Sequence, residues 1–401
     1  MKKILFLFSS LLLTSSIFAQ SGLDVSAQIR ARHQMSNKDF NSDVPANNFT
    51  ELRTRLNLKF SPVENITGLV QLQDSRVFGT EANTLSSIDN IDLHQAYFTV
   101  SKLFNLPLNL KLGRMELSYG PQRLVGAVGW HNVGRSFDGG VVQLKTKKVD
   151  VDFFSAQTNE SGNVGDTNDV TVAGAYGNLK MAKNHQIQPF IIGELETGTD
   201  FGRYTLGVYV KGSIGNLSHE IEGAYQLGSV NENIDIAAYM FALNIMYKFD
   251  TPIQPVIGGG IDYLSGDDDF TDNDFKMFNT LYATNHKYYG FMDFFPGNTY
   301  GLGLMDLHVK GTISPAKKFK AMLAFHMFNS VEDFKYIPAD SPNEKSSTSF
   351  GSEVDLTLIY TYNKAVKFQG GFSFFSPGDI FKQVRGEDGS TWAYLMAVVN
   401  L

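Results

Sequence analysis

From Leu52 to Phe60 the chain alternates without a break. Leu52, Thr54, Leu56, Leu58 and Phe60 fall on one parity, and Arg53, Arg55, Asn57 and Lys59 fall on the other. Successive side chains of an extended strand point to opposite faces, so this segment has one apolar side and one strongly polar side. The pattern returns near the C-terminus. Val354, Leu356, Leu358, Tyr360 and Tyr362 oppose Glu353, Asp355, Thr357 and Thr361, and Val366, Phe368, Phe372 and Phe374 oppose Lys367, Gln369 and Ser373. Such strands need an apolar medium on one side and water on the other. A soluble sandwich and a barrel in lipid both meet that need, so the period alone does not choose between them.

The N-terminus narrows the choice. Lys2 and Lys3 precede an apolar stretch, Ile4 to Leu13, and Ala19 precedes Gln20. This reads as an export signal, residues 1–19, cleaved to leave residues 20–401 outside the cytoplasm. With no cysteine in the chain, neither disulfides nor thiolate metal sites can hold the fold. The most apolar later window, Ala237 to Phe249, is broken by Asn244 and Lys248 and is too short to cross a bilayer as a helix. Aromatic residues make up 13 % of the chain, with 37 glycines, and no Pro- or Ser-rich linker divides it. A net charge of −7 argues against nucleic acid as a partner. No Gly-x-Ser-x-Gly elbow, P-loop or His-Glu-x-x-His is present, and none of the eight histidines pairs at helical or finger spacing. No enzyme activity, cofactor or metal centre is therefore expected.

The connections decide the fold class. Long segments at residues 35–49, 77–87, 119–136, 158–168, 265–300, 330–348 and 377–390 alternate with short ones. The short ones fall at Ser61–Val63, Lys102–Leu106, Lys147–Lys148, Ala182–Asn184, Pro315–Ala316 and Asn363–Lys364, and the contrast weakens in the middle of the chain. Short periplasmic turns alternating with long outer loops mark a transmembrane antiparallel β-barrel. The reading is an all-β chain of about 18 strands, surrounded by outer-membrane lipid, with both ends periplasmic. The last strand runs from Trp392 to Leu401, and no plug-sized domain precedes the first.

Two blocks carry a family resemblance. Gly113-Arg114-Met115-Glu116-Leu117-Ser118-Tyr119-Gly120-Pro121-Gln122-Arg123-Leu124, continuing through Trp130 to Arg135-Ser136-Phe137-Asp138-Gly139, resembles the alginate export family of outer-membrane porins. Asp262-Tyr263, Ser265-Gly266-Asp267, Phe278 to Leu281, His286 and Tyr289-Gly290 are similar to that family too. The resemblance implies an 18-stranded monomeric barrel with an electropositive conduit for an anionic uronate polysaccharide.

The charged residues fit an anion pathway. Eight arginines precede residue 136, and only Arg203 and Arg385 follow. Parity places Arg30, Arg32, Arg53 and Arg55 on the luminal face of neighbouring strands, where guanidinium groups can bind carboxylates or simply pair with acids such as Glu51. Arg76 and Arg114 share their register with Leu72 and Leu112. They either sit at outer strand ends or are turned inward by bulges, with Asp74 and Glu116 as natural ion-pair partners. The 119–136 segment carries Arg123, Trp130 and Arg135, with Asp138 beyond it. It is expected to fold inward as the constriction, Trp130 offering a face for a sugar; a Trp anchored at the membrane interface is the plainer alternative. Asp267, Asp268, Asp269, Asp272 and Asp274 read as a solvated acidic loop rather than a Ca²⁺ site. The expected function is passive passage of an acidic saccharide. The alternatives are a porin for small anions such as carboxylates or phosphate, and a non-conducting docking barrel.

Overall fold

A computed structural model of the chain describes residues 22–86, 90–160, 169–182, 184–338 and 342–401. The proposed export signal, residues 1–19, and most of the 158–168 connection lie outside the described residues. Among the described residues, nineteen strands follow one another. They are β1 (Leu23–Asn37), β2 (Asn47–Val63), β3 (Ile66–Val77), β4 (Ile91–Val100), β5 (Leu108–Met115) and β6 (Phe137–Lys145), then β7 (Val149–Asn159), β8 (Val170–Ala182), β9 (His185–Glu196), β10 (Gly202–Ile214), β11 (Leu217–Asn231) and β12 (Ile234–Lys248). The rest are β13 (Val256–Leu264), β14 (Asp274–Phe275), β15 (Leu304–Ala316), β16 (Phe319–Tyr336), β17 (Lys345–Thr361), β18 (Val366–Pro377) and β19 (Ser390–Asn400).

Every wall strand pairs antiparallel with its sequence neighbour, and β1 pairs with both β2 and β19, which closes the sheet. β13 pairs directly with β15, whereas the two-residue β14 lies parallel on the outer end of β12. The wall is therefore a closed barrel of 18 strands, and closure leaves no edge to expose unpaired backbone. Among the described residues the only α-helix is Asp379–Val384.

The expected faces are found around the wall. Leu56, Phe98, Phe153, Leu206, Phe241 and Phe372 point outward and are exposed, while Arg53, Arg55, Gln71, Gln73, Asp355 and Ser373 point inward and are buried. Val208 lies midway along β10 on the outward face. Val208→Arg should cost about 2–4 kcal/mol, because nothing at that depth can solvate a guanidinium. Urea unfolding in lipid vesicles would measure it, and a cost near zero would mean that this face does not meet hydrocarbon.

Several connections differ from the sequence reading. β2 runs on to Val63, so the turn falls at residues 64–65 rather than 61–63. β16 and β17 continue past the irregularity between Asn329 and Phe334, which shortens the 330–348 connection to residues 337–344. The loop rhythm also lapses in the middle. The outer connection between β11 and β12 is only residues 232–233, while the periplasmic one between β12 and β13 spans 249–255. The outer connections here need only reverse the chain, because the lumen is filled from elsewhere.

Two connections fill it, residues 116–136 after β5 and residues 265–303 after β13. They meet in the lumen through the parallel bridge of Val125 with Tyr282 and through backbone bonds Gly126 N–H to Tyr282 O and Tyr282 N–H to Leu124 O. Above them, Phe40, Phe294, Phe295 and Phe381 pack with Phe328, Phe350 and Phe375 of the wall. This aromatic cluster fixes one side of the outer mouth.

Candidate functional site

The arginines of β1 and β2 clasp the first inward loop. β1 and β2 pair with Arg30 opposite Arg53, which sets the four guanidinium groups side by side on one wall. Arg30 donates to Gly129 O (2.9 Å) and His131 O (3.0 Å), and Arg53 to the same two carbonyls (3.1 and 3.2 Å). Arg32 bonds Trp130 O at 2.9 Å and pairs with Glu51. Arg55 reaches Val133 O (3.1 Å), Gln73 (2.6 Å), His94 (2.9 Å) and Glu116 (3.2 Å). Backbone carbonyls carry partial negative charge, so a cationic wall can hold a loop that presents them. The loop must come close to do so. At Gly134 (φ +85°) a Cβ would lie 2.8 Å from Arg55 Nη2, and glycine removes that clash.

The second inward loop faces an acidic wall. The amide of Met292 donates to Glu353 (2.9 Å), and at Gly290 (φ +77°) a Cβ would fall 2.6 Å from the same carboxylate. Asp262, Asp306, Glu353 and Asp355 are all buried on β13, β15 and β17, with β18 and β19 between β17 and the arginines of β1, and Glu222 joins them from β11. Arg123 crosses the lumen from the first loop into this side. It lies 2.8 Å from Asp262 and 3.4 Å from Glu222, with its guanidinium 3.8 Å from the Tyr288 ring. Arg135 ties the two loops together through the carbonyls of Gly126, Tyr282 and Ala283. Arg203 pairs with Glu194 at 2.7 Å.

Above this junction lies a polar cavity of about 380 Å³, lined by Arg32, Lys38, Glu51, Trp130, Arg135, His286, Asp293 and Trp392 among others. Trp130 stacks on His286 with ring centroids 4.5 Å apart, and Arg32 lies 4.2 Å from the indole centroid. His286 in turn pairs with Asp293 at 2.9 Å. Lys38, just past β1, donates to Met292 O. Burial pushes its ammonium below the usual lysine range, and Asp293 and Glu353 offset part of that shift. A second cavity, of about 210 Å³, lies toward the periplasmic turns and is lined by Glu220, Lys287, Tyr288 and Lys310 among others.

The sequence-stated sites divide accordingly. The inward course of the Trp130 loop is observed, and so are the luminal positions of Arg30, Arg32, Arg53 and Arg55. Trp130 does not sit at the lipid interface, but its ring already carries Arg32 and His286 rather than standing open to a sugar. Arg76 and Arg114 lie on the outward face at outer strand ends, with no bulge turning them in. Arg76 pairs with Asp74 as expected, and with Glu81 at 3.3 Å. Arg114 does not pair with Glu116. It faces Asp138 across the β5–β6 register at 2.6 Å, while Glu116 lies past the strand end and turns inward to Arg55 and His94. In the acidic loop, Lys276 bridges Asp268 (2.6 Å) and Asp272 (3.0 Å), an internal counter-charge for part of the cluster. Lys38, Lys287, Glu222 and the carboxylates of β13, β15 and β17 are additions. Glu353 and Asp355 lie on a luminal parity visible in the sequence, whereas nothing local marks Lys38.

A closed 18-stranded barrel with loops folded into a charged lumen defines a porin-type protein of the bacterial outer membrane. Residues 21–394 match the alginate export family, and the chain belongs to it. Its fold and family are those of export channels and porins rather than enzymes. No curated protein sequence matches the chain. Among solved structures it is similar to OccAB1 of Acinetobacter baumannii (TM-score 0.63, 10 % identity, 94 % of this chain and 96 % of that one). It is also similar to OccK8 (OprE) of Pseudomonas aeruginosa (TM-score 0.61, 14 % identity, 94 % and 98 %). A third is OccK2 (OpdF) of Pseudomonas aeruginosa in complex with glucuronate (TM-score 0.60, 11 % identity, 94 % and 96 %).

Proposed function

We propose that the barrel, as a monomer, gives passive passage to an anionic solute, with an acidic, uronate-type saccharide as its cargo. The observation that carries this reading is the 380 Å³ cavity beside the loop junction, where Arg32, Lys38, Arg135 and His286 gather around Trp130 against Glu51 and Asp293. Guanidinium and ammonium groups attract carboxylates. Lys287 and Lys310 supply a second cationic station on the periplasmic side. Conduction needs several such weak sites rather than one tight one. The solved neighbour in complex with glucuronate gives a uronate precedent within the same fold.

A porin for small carboxylates is the second reading. Its support is the size of the cavity, about 380 Å³, which is that of a small-molecule site rather than a polysaccharide groove. Single-channel recording in a salt gradient, with uronate oligomers and then the monomer added, separates the readings. The expected result is an anion-selective current that the oligomer interrupts at lower concentration than the monomer. Equal potency would leave the small-anion porin. A cation-selective barrel would overturn the anion pathway, and a silent one would leave the docking barrel.

A further inference from the structure

Three side chains on β15 and β16 converge on one point of the luminal wall. Asp306 and His308 are two residues apart on β15 and so share a face, and His326 is the register partner of His308 on β16. All three are buried, and one ligand atom from each lies within 4.8 Å of the others. Asp306 Oδ2 is 3.3 Å from His308 Nδ1 and 2.7 Å from His326 Nδ1.

The hydrogen bond of His308 to Asn244 aims its Nδ1 inward. His308 Nε2 lies 2.7 Å from Asn244 Oδ1, an acceptor, so Nε2 carries the proton and Nδ1 of the neutral ring presents a bare lone pair. That Nδ1 has no hydrogen-bond partner, and neither does Asp306 Oδ1. On the far side of His326, Nε2 faces Asp355 Oδ2 at 4.0 Å. A carboxylate and two imidazole nitrogens meeting at one point repel unless protons or a cation lie between them. A remote N–H donated to an amide oxygen, as His308 donates to Asn244, is a usual outer shell of a metal-bound histidine.

We infer that Asp306, His308 and His326 form a binding site for a divalent transition-metal ion of the Zn²⁺ class. Two nitrogens and one carboxylate oxygen suit Zn²⁺, with water as a fourth ligand, and do not suit Ca²⁺ or Mg²⁺, which prefer all-oxygen sites. Metal–ligand distances of about 2.0–2.2 Å ask for a widening of under about 1 Å between Asp306 and His326. The smaller cavity, toward the periplasmic side, is lined by Asn244, the partner of His308. Lys310 lines the same cavity and opposes a cation, but Asp355, 4.0 Å from His326 Nε2, favours one. The bound ion would pin β15 to β16 beneath the second inward loop.

The test uses the full barrel, stripped with EDTA and titrated with Zn²⁺ against a chromophoric chelator. Co²⁺ serves as the spectroscopic probe. One Zn²⁺ per barrel and a tetrahedral Co²⁺ absorption band are expected. Affinity should fall at least about 100-fold in the His308→Gln/His326→Gln variant and about 10–100-fold in Asn244→Ala, with heat-modifiable migration confirming that both variants fold. Asp268→Asn, in the outer acidic loop, should bind like the parent. No Zn²⁺ binding by the parent would mean that the hydrogen bond between His326 Nδ1 and Asp306, not a metal, joins the triad. Equal binding by the double-glutamine variant would place the ion elsewhere. Either result overturns the site.

Discussion

Arg123→Ala is expected to release the first inward loop from the lumen. The side chain is 4 % exposed and its partners Glu222 and Asp262 are 3 % and 1 % exposed, so the variant strands two carboxylates out of water. Removing one member of a buried ion pair typically costs about 3–5 kcal/mol, mostly as the penalty on the charge left behind. Tyr288 also loses its cation contact. The wall needs none of these bonds to stay closed, so the loss falls on loop docking rather than on the barrel. Amide hydrogen exchange over residues 117–127 and 281–289 should then speed up by roughly 100-fold or more, while the wall strands stay protected. Mean conductance should rise and become noisier as the junction at Val125 and Tyr282 opens. Arg123→Met combined with Glu222→Gln and Asp262→Asn removes the stranded charges and should recover most of the docking. Unchanged exchange in Arg123→Ala would show that the backbone bridge alone holds the loops.

Much of the wall was legible in the sequence because two solvents enforce it. Lipid outside and charge inside leave a strand only one register, so the parity of Arg53 and Arg55 against Leu52 and Leu56 had a single outcome. What fills the lumen was less legible, since it depends on chain segments far apart in sequence. Arg30 meets Gly129 across 99 positions, and Lys38 meets Met292 across 254. Nearness in sequence misled at Arg114, where sheet register sets Asp138 opposite it and Glu116 falls beyond the strand end. The acidic wall shows the remaining gap. Glu353 and Asp355 lie on a polar parity, but their importance comes from the amides of Phe291 and Met292 that they hold, and no local pattern states which distant loop reaches which strand.

The arginine wall has two tasks whose effects can be separated, and the pair Arg53 and Arg55 separates them best. As a charge, each guanidinium draws anions into the lumen. As a fork, each binds loop carbonyls, Arg53 those of Gly129 and His131 and Arg55 that of Val133. Each charge-assisted hydrogen bond lost costs about 1.5–3 kcal/mol. Arg53→Ala with Arg55→Ala should therefore both lower anion selectivity, read as a reversal potential shifted toward zero, and raise conductance several-fold as the loop loosens. Arg53→Lys with Arg55→Lys keeps the charge but not the fork, since an ammonium is a point charge that cannot span two carbonyls in the same geometry. The lysine variant should keep the parental reversal potential and still show the larger, noisier current. Lysine channels indistinguishable from the parent would make the arginines a simple charge rail. An unshifted reversal potential in the alanine variant would instead make them clasps alone, and would leave anion selectivity to Lys38, Arg135 and Lys287 beside the loop junction.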